Sequence, residues 1–167
     1  MDGFIDWLRF TQLSLVFQQE VAWLWPLCES LHFLGLCLLI GTAGFFDLRL
    51  LGLMRGVPLK TAWSLVPWAK AALVVNLLTG LVFLISQPEQ YARNVSMWFK
   101  VLFLLVAGVN ALVFEWFYSR KLQTLGPHAD TPFAAKVIGA VSLVSWFAVL
   151  YFGRMIPYLV PDPVSGV

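Results

Sequence analysis

Four long apolar stretches, about residues 22–46, 67–86, 96–117 and 133–158, take up most of this 167-residue chain. Each reaches the ~20 residues that an α-helix needs to cross a ~30 Å hydrocarbon core. The pattern predicts an all-α integral membrane four-helix bundle, with residues 1–167 forming a single membrane domain. A content of 60% apolar and 12% charged residues, with eight Trp, lies far outside soluble averages and points the same way. A net charge of +2, carried by scattered basic residues, gives no stripe for a nucleic acid, and no nucleic-acid partner is expected. The lipid bilayer is the expected partner.

Residues 4–19 alternate Phe4, Ile5, Trp7, Leu8, Phe10, Leu15 and Val16 with Asp6, Arg9, Gln12 and Gln19, which predicts an amphipathic helix lying in the interface ahead of the first span. The start of the chain lacks the basic region of a secretory signal, so the N-terminus is expected to be retained. Trp23, Trp25 and Pro26 open the first span. Pro58 and Pro67 bracket a short interfacial helix at 59–66, and Pro67 begins the second span. Gln87–Tyr91 reads as a tight polar loop. Asn94 reads as the N-cap of the third span and Thr131-Pro132 as an N-cap and first helical residue for the fourth. Pro161 and Pro163 are expected to end it.

The segments joining spans one to two and three to four hold Arg49, Arg55, Lys60, Lys70, Arg120, Lys121 and Lys136, against Arg9, Arg93, Lys100 and Arg154 at the opposite ends. Basic residues favour the cytoplasmic side, so both termini are expected outside. In a Gram-negative host that means an inner-membrane protein with periplasmic termini.

An ionisable side chain at bilayer depth costs roughly 2.5–3.5 kcal/mol on insertion scales and marks a candidate site. With this topology Glu29, His32, Lys100 and Arg154 all fall in the outer half, and Asn76 on the second span reaches the depth of His32. Glu29 and His32 stand at i and i+3, where a carboxylate can hold an imidazole tautomer. The cluster reads as an outward-open site that binds or conducts a proton, a small ion or a small polar ligand. A plainer alternative has Glu29 pairing with Lys100 or Arg154 to keep the helices in register, with His32 hydrogen-bonded to a neighbour.

A redox or metal site is a second functional reading. Cys28 stands at i−4 from His32, and Met97 and Met155 lie at similar depths, a set that suits copper(I); His and Met together can also ligate a b-type haem. Bis-histidine ligation would need two copies of His32, because His128 falls in the loop on the other side. Cys28 and Cys37 are ~13 Å apart by helical rise, beyond disulfide reach. A third reading is an accessory subunit or assembly factor in a homo-oligomer or larger membrane complex. No phosphate loop, HExxH or CxxC is present, so no reaction class follows. Asp47 and Arg49 are expected at the inner headgroups, paired with Lys60 or lipid.

The run Trp25-Pro26-Leu27-Cys28-Glu29-Ser30-Leu31-His32-Phe33-Leu34-Gly35, followed by Asp47-Leu48-Arg49-Leu50-Leu51-Gly52, Pro67-Trp68, Thr79-Gly80, Lys100 and Gly153-Arg154, resembles an uncharacterised family of small bacterial inner-membrane proteins over nearly the whole chain. The resemblance implies a four-span membrane protein and carries no activity with it.

Overall fold

The computed structural model describes residues 23–123, 125–126 and 129–159, together with Gly3, Trp7, Thr11 and Ser14. The segment read as an interfacial helix at 4–19 lies outside the described residues except for three of its members, as do His128, Pro161 and Pro163. The described elements are helical throughout: α1 Leu24–Leu50, α2 Leu59–Trp63, α3 Val66–Ser86, α4 Pro88–Ala92, α5 Val95–Phe117, α6 Ser119–Gln123 and α7 Phe133–Met155, continued by a 3-10 turn at Ile156–Tyr158.

Four helical segments have the length and apolarity to cross a bilayer. They pack in the order α3, α1, α7, α5, so α1 is flanked by α3 and α7, and α5 leans on α7. Their outer faces present Leu34, Leu78, Leu105, Val109, Val144 and Phe147 to the surroundings. A water-soluble monomer would not expose apolar side chains on this scale; in lipid such an arrangement costs nothing. The chain is a multi-pass membrane protein.

α1 runs a turn beyond its expected end near 46 and stops in a glycine-terminated cap. Gly52 adopts φ 85°, its N–H bonds to the Arg49 carbonyl at 3.1 Å, and the Leu53 N–H reaches back to Leu48 at 3.1 Å. This pair of bonds is the Schellman pattern, which needs the left-handed conformation that glycine adopts without strain. Arg49, 1% exposed, ties the exit together. Its Nε donates to the Val57 carbonyl at 2.6 Å, and its two terminal nitrogens reach Thr131 Oγ1 and the Ala129 carbonyl at 3.4 Å.

That geometry corrects two expectations. Arg49 is a buried clamp between two loops and not a headgroup residue, and the Thr131 hydroxyl serves Arg49 instead of capping α7, whose first residue is preceded by Pro132 with no side-chain cap. Asn94 does cap α5, its Oδ1 accepting from the Ser96 N–H at 2.9 Å. Its Nδ2 also donates to the carbonyls of Ile156 and Leu159, fastening the end of α7 to the start of α5. The Gln87–Tyr91 segment forms most of the helical turn α4, with Pro88 supplying a preset φ in its first turn and Glu89 a favourable charge beside its free N–H groups.

Candidate functional site

The buried stripe of α1 follows Cys28, His32, Gly35 and Leu39, a 4-3-4 spacing that keeps one face turned toward α3. The antiparallel partner residues on α3 are Phe83, Thr79, Asn76 and Ala72, all buried. Phe83 packs against both Trp25 and His32, at ring-centroid distances of 5.2 and 5.3 Å, and stacks on Tyr91 at 6.4 Å. Gly35 lets Asn76 lie against the α1 backbone: a Cβ there would stand 2.5 Å from Asn76 Nδ2.

His32, 9% exposed, makes the central polar contact, with Nδ1 2.6 Å from Thr79 Oγ1. The Thr79 hydroxyl has one hydrogen, directed to the Val75 carbonyl at 2.8 Å with the Asn76 carbonyl at 3.3 Å as a second acceptor. With that hydrogen kept in the intrahelical bond, Thr79 accepts from His32, and the neutral imidazole is then the Nδ1–H tautomer with the lone pair on Nε2. Next to it, Asn76 donates Nδ2 to the Ala72 carbonyl at 2.9 Å, while its Oδ1 is buried without a partner.

Lys100 enters from α5. Its stem lies along Gly153 of α7, with Cδ, Cε and Nζ each 3.6 Å from where a Cβ would be. Its charge is close enough to interact electrostatically with His32. Among the described residues no carboxylate forms an ion pair with it. Glu29 stands beside the buried stripe and is exposed; its charge acts on Tyr91, whose phenol is raised above its ordinary range first by burial and then by the Glu29 carboxylate. Arg154 is exposed at the end of α7, where its guanidinium donates to the Tyr158 hydroxyl at 3.0 Å and lies 5.3 Å from the centre of that ring. Among the described residues, no ion pair joins Glu29 to Lys100 or Arg154.

The structure thus brings His32 and Asn76 together with Thr79, a residue the sequence reading left out of the site, and sets Lys100 against Gly153 of α7 within electrostatic range of His32. The i, i−3 spacing of Thr79 and Asn76 on the second span was the available signal. Of the residues considered for a metal, Cys28 is buried on the His32 stripe, and Met97 and Met155 are half-buried on α5 and α7. Among the described residues no three His, Cys, Asp or Glu side chains are grouped closely enough to hold a metal ion.

No curated protein and no solved structure matches this chain. A family model described as "Family of unknown function (DUF6644)" matches residues 4–159. The motif residues take on physical roles in that light, His32 and Gly35 meeting Thr79 and Asn76, and Arg49 and Gly52 closing the exit of α1. The chain belongs to this family of unknown function.

Proposed function

We propose that the chain binds a small ion or compact polar ligand at His32, Asn76 and Lys100, in the half of the bilayer nearest the amino ends of α1 and α5. The observation that carries the reading is the state of His32: its Nδ1 is committed to Thr79, so Nε2 offers an acceptor near an ammonium with no carboxylate partner among the described residues. A weak acid complements these groups, its anionic oxygen suiting Lys100 and its protonated oxygen suiting Nε2. Asn76 Oδ1 adds an acceptor that burial leaves unsatisfied, and such a group favours whatever can donate to it. Basic-residue counts favour placing this half outside, at the periplasmic face of an inner membrane.

The test is calorimetric titration of the protein in lipid nanodiscs with formate, acetate and chloride. Saturable binding that falls at least tenfold in both His32→Ala and Lys100→Met supports the site. Equal binding by the wild type and the His32→Ala/Lys100→Met double variant removes it. Visible absorption and metal analysis of the same preparation address the redox reading: a Soret band, or copper at one per chain that is lost in His32→Ala, would replace a ligand site with a cofactor site.

A further inference from the structure

At the opposite end of the bundle the four long helices enclose a second site, a cavity of about 120 Å³. Asp47 of α1 lines it and is 4% exposed. Gly139 lets α7 approach closely here: a Cβ on it would stand 3.0 Å from the Asp47 carbonyl oxygen and from Leu50 Cβ. Ser142 lines the same cavity, and the carboxyl's Oδ2 is buried without a partner. This is a correction to the sequence reading, which set Asp47 among the headgroups.

The surroundings restrict what that oxygen can be for. Among the described lining residues Lys70 is the one cation, and both oxygens of Glu115 hold it, at 2.8 and 2.9 Å. The Asn110 amide donates to the Ile138 carbonyl at 3.0 Å. The remaining wall is apolar, and four aromatic rings stand in it among aliphatic residues: Phe46, Trp63 and Phe114 pack on one another at 5.3–5.6 Å between centroids, and Trp146 closes another side.

We infer that this cavity binds a small organic cation, an ammonium group carried on a compact apolar body, with Asp47 as its counter-charge. An ionised carboxylate in apolar surroundings is costly unless a cation meets it or it takes up a proton, and the described lining residues leave no cation free. Aromatic walls favour an organic ammonium through the negative faces of their rings. A hard metal ion asks for six or more oxygen ligands, far more than this wall presents. The cavity is smaller than the ~150 Å³ that accommodates benzene, but it is open on one side, so a body of that size can seat its ammonium end inside and extend out of the opening.

The experiment uses the full chain in nanodiscs, titrated with benzylammonium chloride and with its neutral counterpart benzyl alcohol, empty nanodiscs supplying the background. The expected result is saturable benzylammonium binding, at least tenfold weaker binding of the alcohol, and at least tenfold loss in Asp47→Asn. Ala111→Phe leaves the carboxyl in place and fills the cavity from its exposed side; it is expected to abolish binding even if Asp47→Asn disturbs folding. His32→Ala is expected to bind benzylammonium as the wild type does, which separates this site from the one proposed above. Equal affinity for amine and alcohol, undiminished binding in Ala111→Phe, or no saturable binding to folded wild-type protein would overturn the inference.

Discussion

His32 Nδ1 and Thr79 Oγ1 meet at 2.6 Å across the α1–α3 interface, and with the Thr79 hydrogen kept on the Val75 carbonyl at 2.8 Å the imidazole is assigned as the donor. In ¹⁵N spectra of histidine-labelled protein, the neutral form of His32 is therefore expected to show a protonated Nδ1 and an unprotonated Nε2. Thr79→Val should remove this preference and cost about 1 kcal/mol, the usual net worth of a buried hydrogen bond. An Nε2–H tautomer in the wild type would contradict the assignment.

Gly35 and Asn76 occupy each other's space, the Cβ of an alanine falling 2.5 Å from Asn76 Nδ2. Gly35→Ala is expected to destabilise by about 1–3 kcal/mol, the range for overpacking a tight interface. Adding Asn76→Ala should recover part of that loss, because the obstacle is a side chain. Gly139→Ala meets a backbone oxygen at 3.0 Å, which cannot be removed, and truncating Asn76 should do nothing for it. Unfolding midpoints of the four variants decide the matter.

Arg49 joins the end of α1 to the loop at Val57 and to Ala129 and Thr131, all from a buried position. Hydrogen bonds from charged donors are worth about 1.5–3 kcal/mol each where they are well formed. Only the 2.6 Å contact is short, so Arg49→Ala is expected to cost about 2–3 kcal/mol. Arg49→Lys should recover little, since an ammonium cannot span three acceptors in the guanidinium geometry. Full rescue by lysine would show that charge alone matters here.

Asp130, in the loop before α7, binds Lys136 in the first turn of that helix at 2.9 Å and Arg55 in the loop after α1 at 3.4 Å. The Lys136 hydrogen bond first, and then the Arg55 and Lys136 charges and the Thr131 N–H, hold its carboxyl below the ordinary value of 3.8 against the opposing effect of desolvation. A depressed folded-state value means that the carboxylate's contribution is fully present above about pH 4 and fades as pH falls through the lowered value. Proteolytic nicking of the 51–58 loop is expected to rise only in that acid range in the wild type, and to be high at neutral pH in Asp130→Asn. An increase with rising pH would reverse the sign of the linkage.

The expected topology is tested by accessibility. In a variant with Cys28 and Cys37 replaced by alanine, a cysteine at Gly56, exposed in the loop after α1, should react only after the cells are opened. A cysteine at Glu89 should react with an impermeant reagent from outside. The reverse pattern would invert the orientation.

Much of the fold was legible because each span is long and continuous, and because Asn94 and Pro67 mark helix starts by local chemistry that needs no neighbour. The exit of α1 was harder: its apolar run ends near Phe46, but the helix carries Asp47 and Arg49 into buried positions, and two of the three Arg49 partners lie 80 or more residues away. Glu29 and His32 share a helical face by spacing, yet the buried stripe runs through Cys28, Gly35 and Leu39 and leaves Glu29 at its edge. Which side of a helix meets its neighbour is decided by small residues on both partners, such as Gly35 against Asn76. One helix read alone does not contain that information. Thr79 was overlooked for the same reason, since only its meeting with His32 distinguishes it from an ordinary threonine bonded to its own helix.

The central claim is that His32 Nε2 and Lys100 form a binding site, and ¹⁵N resonances of both groups in bilayers report on it directly. Titration with formate at constant pH is predicted to shift His32 Nε2 and Lys100 Nζ together, with one saturation midpoint, while His32 Nδ1 keeps its bond to Thr79. Resonances that stay fixed through the titration, or Nζ moving without Nε2, would contradict it.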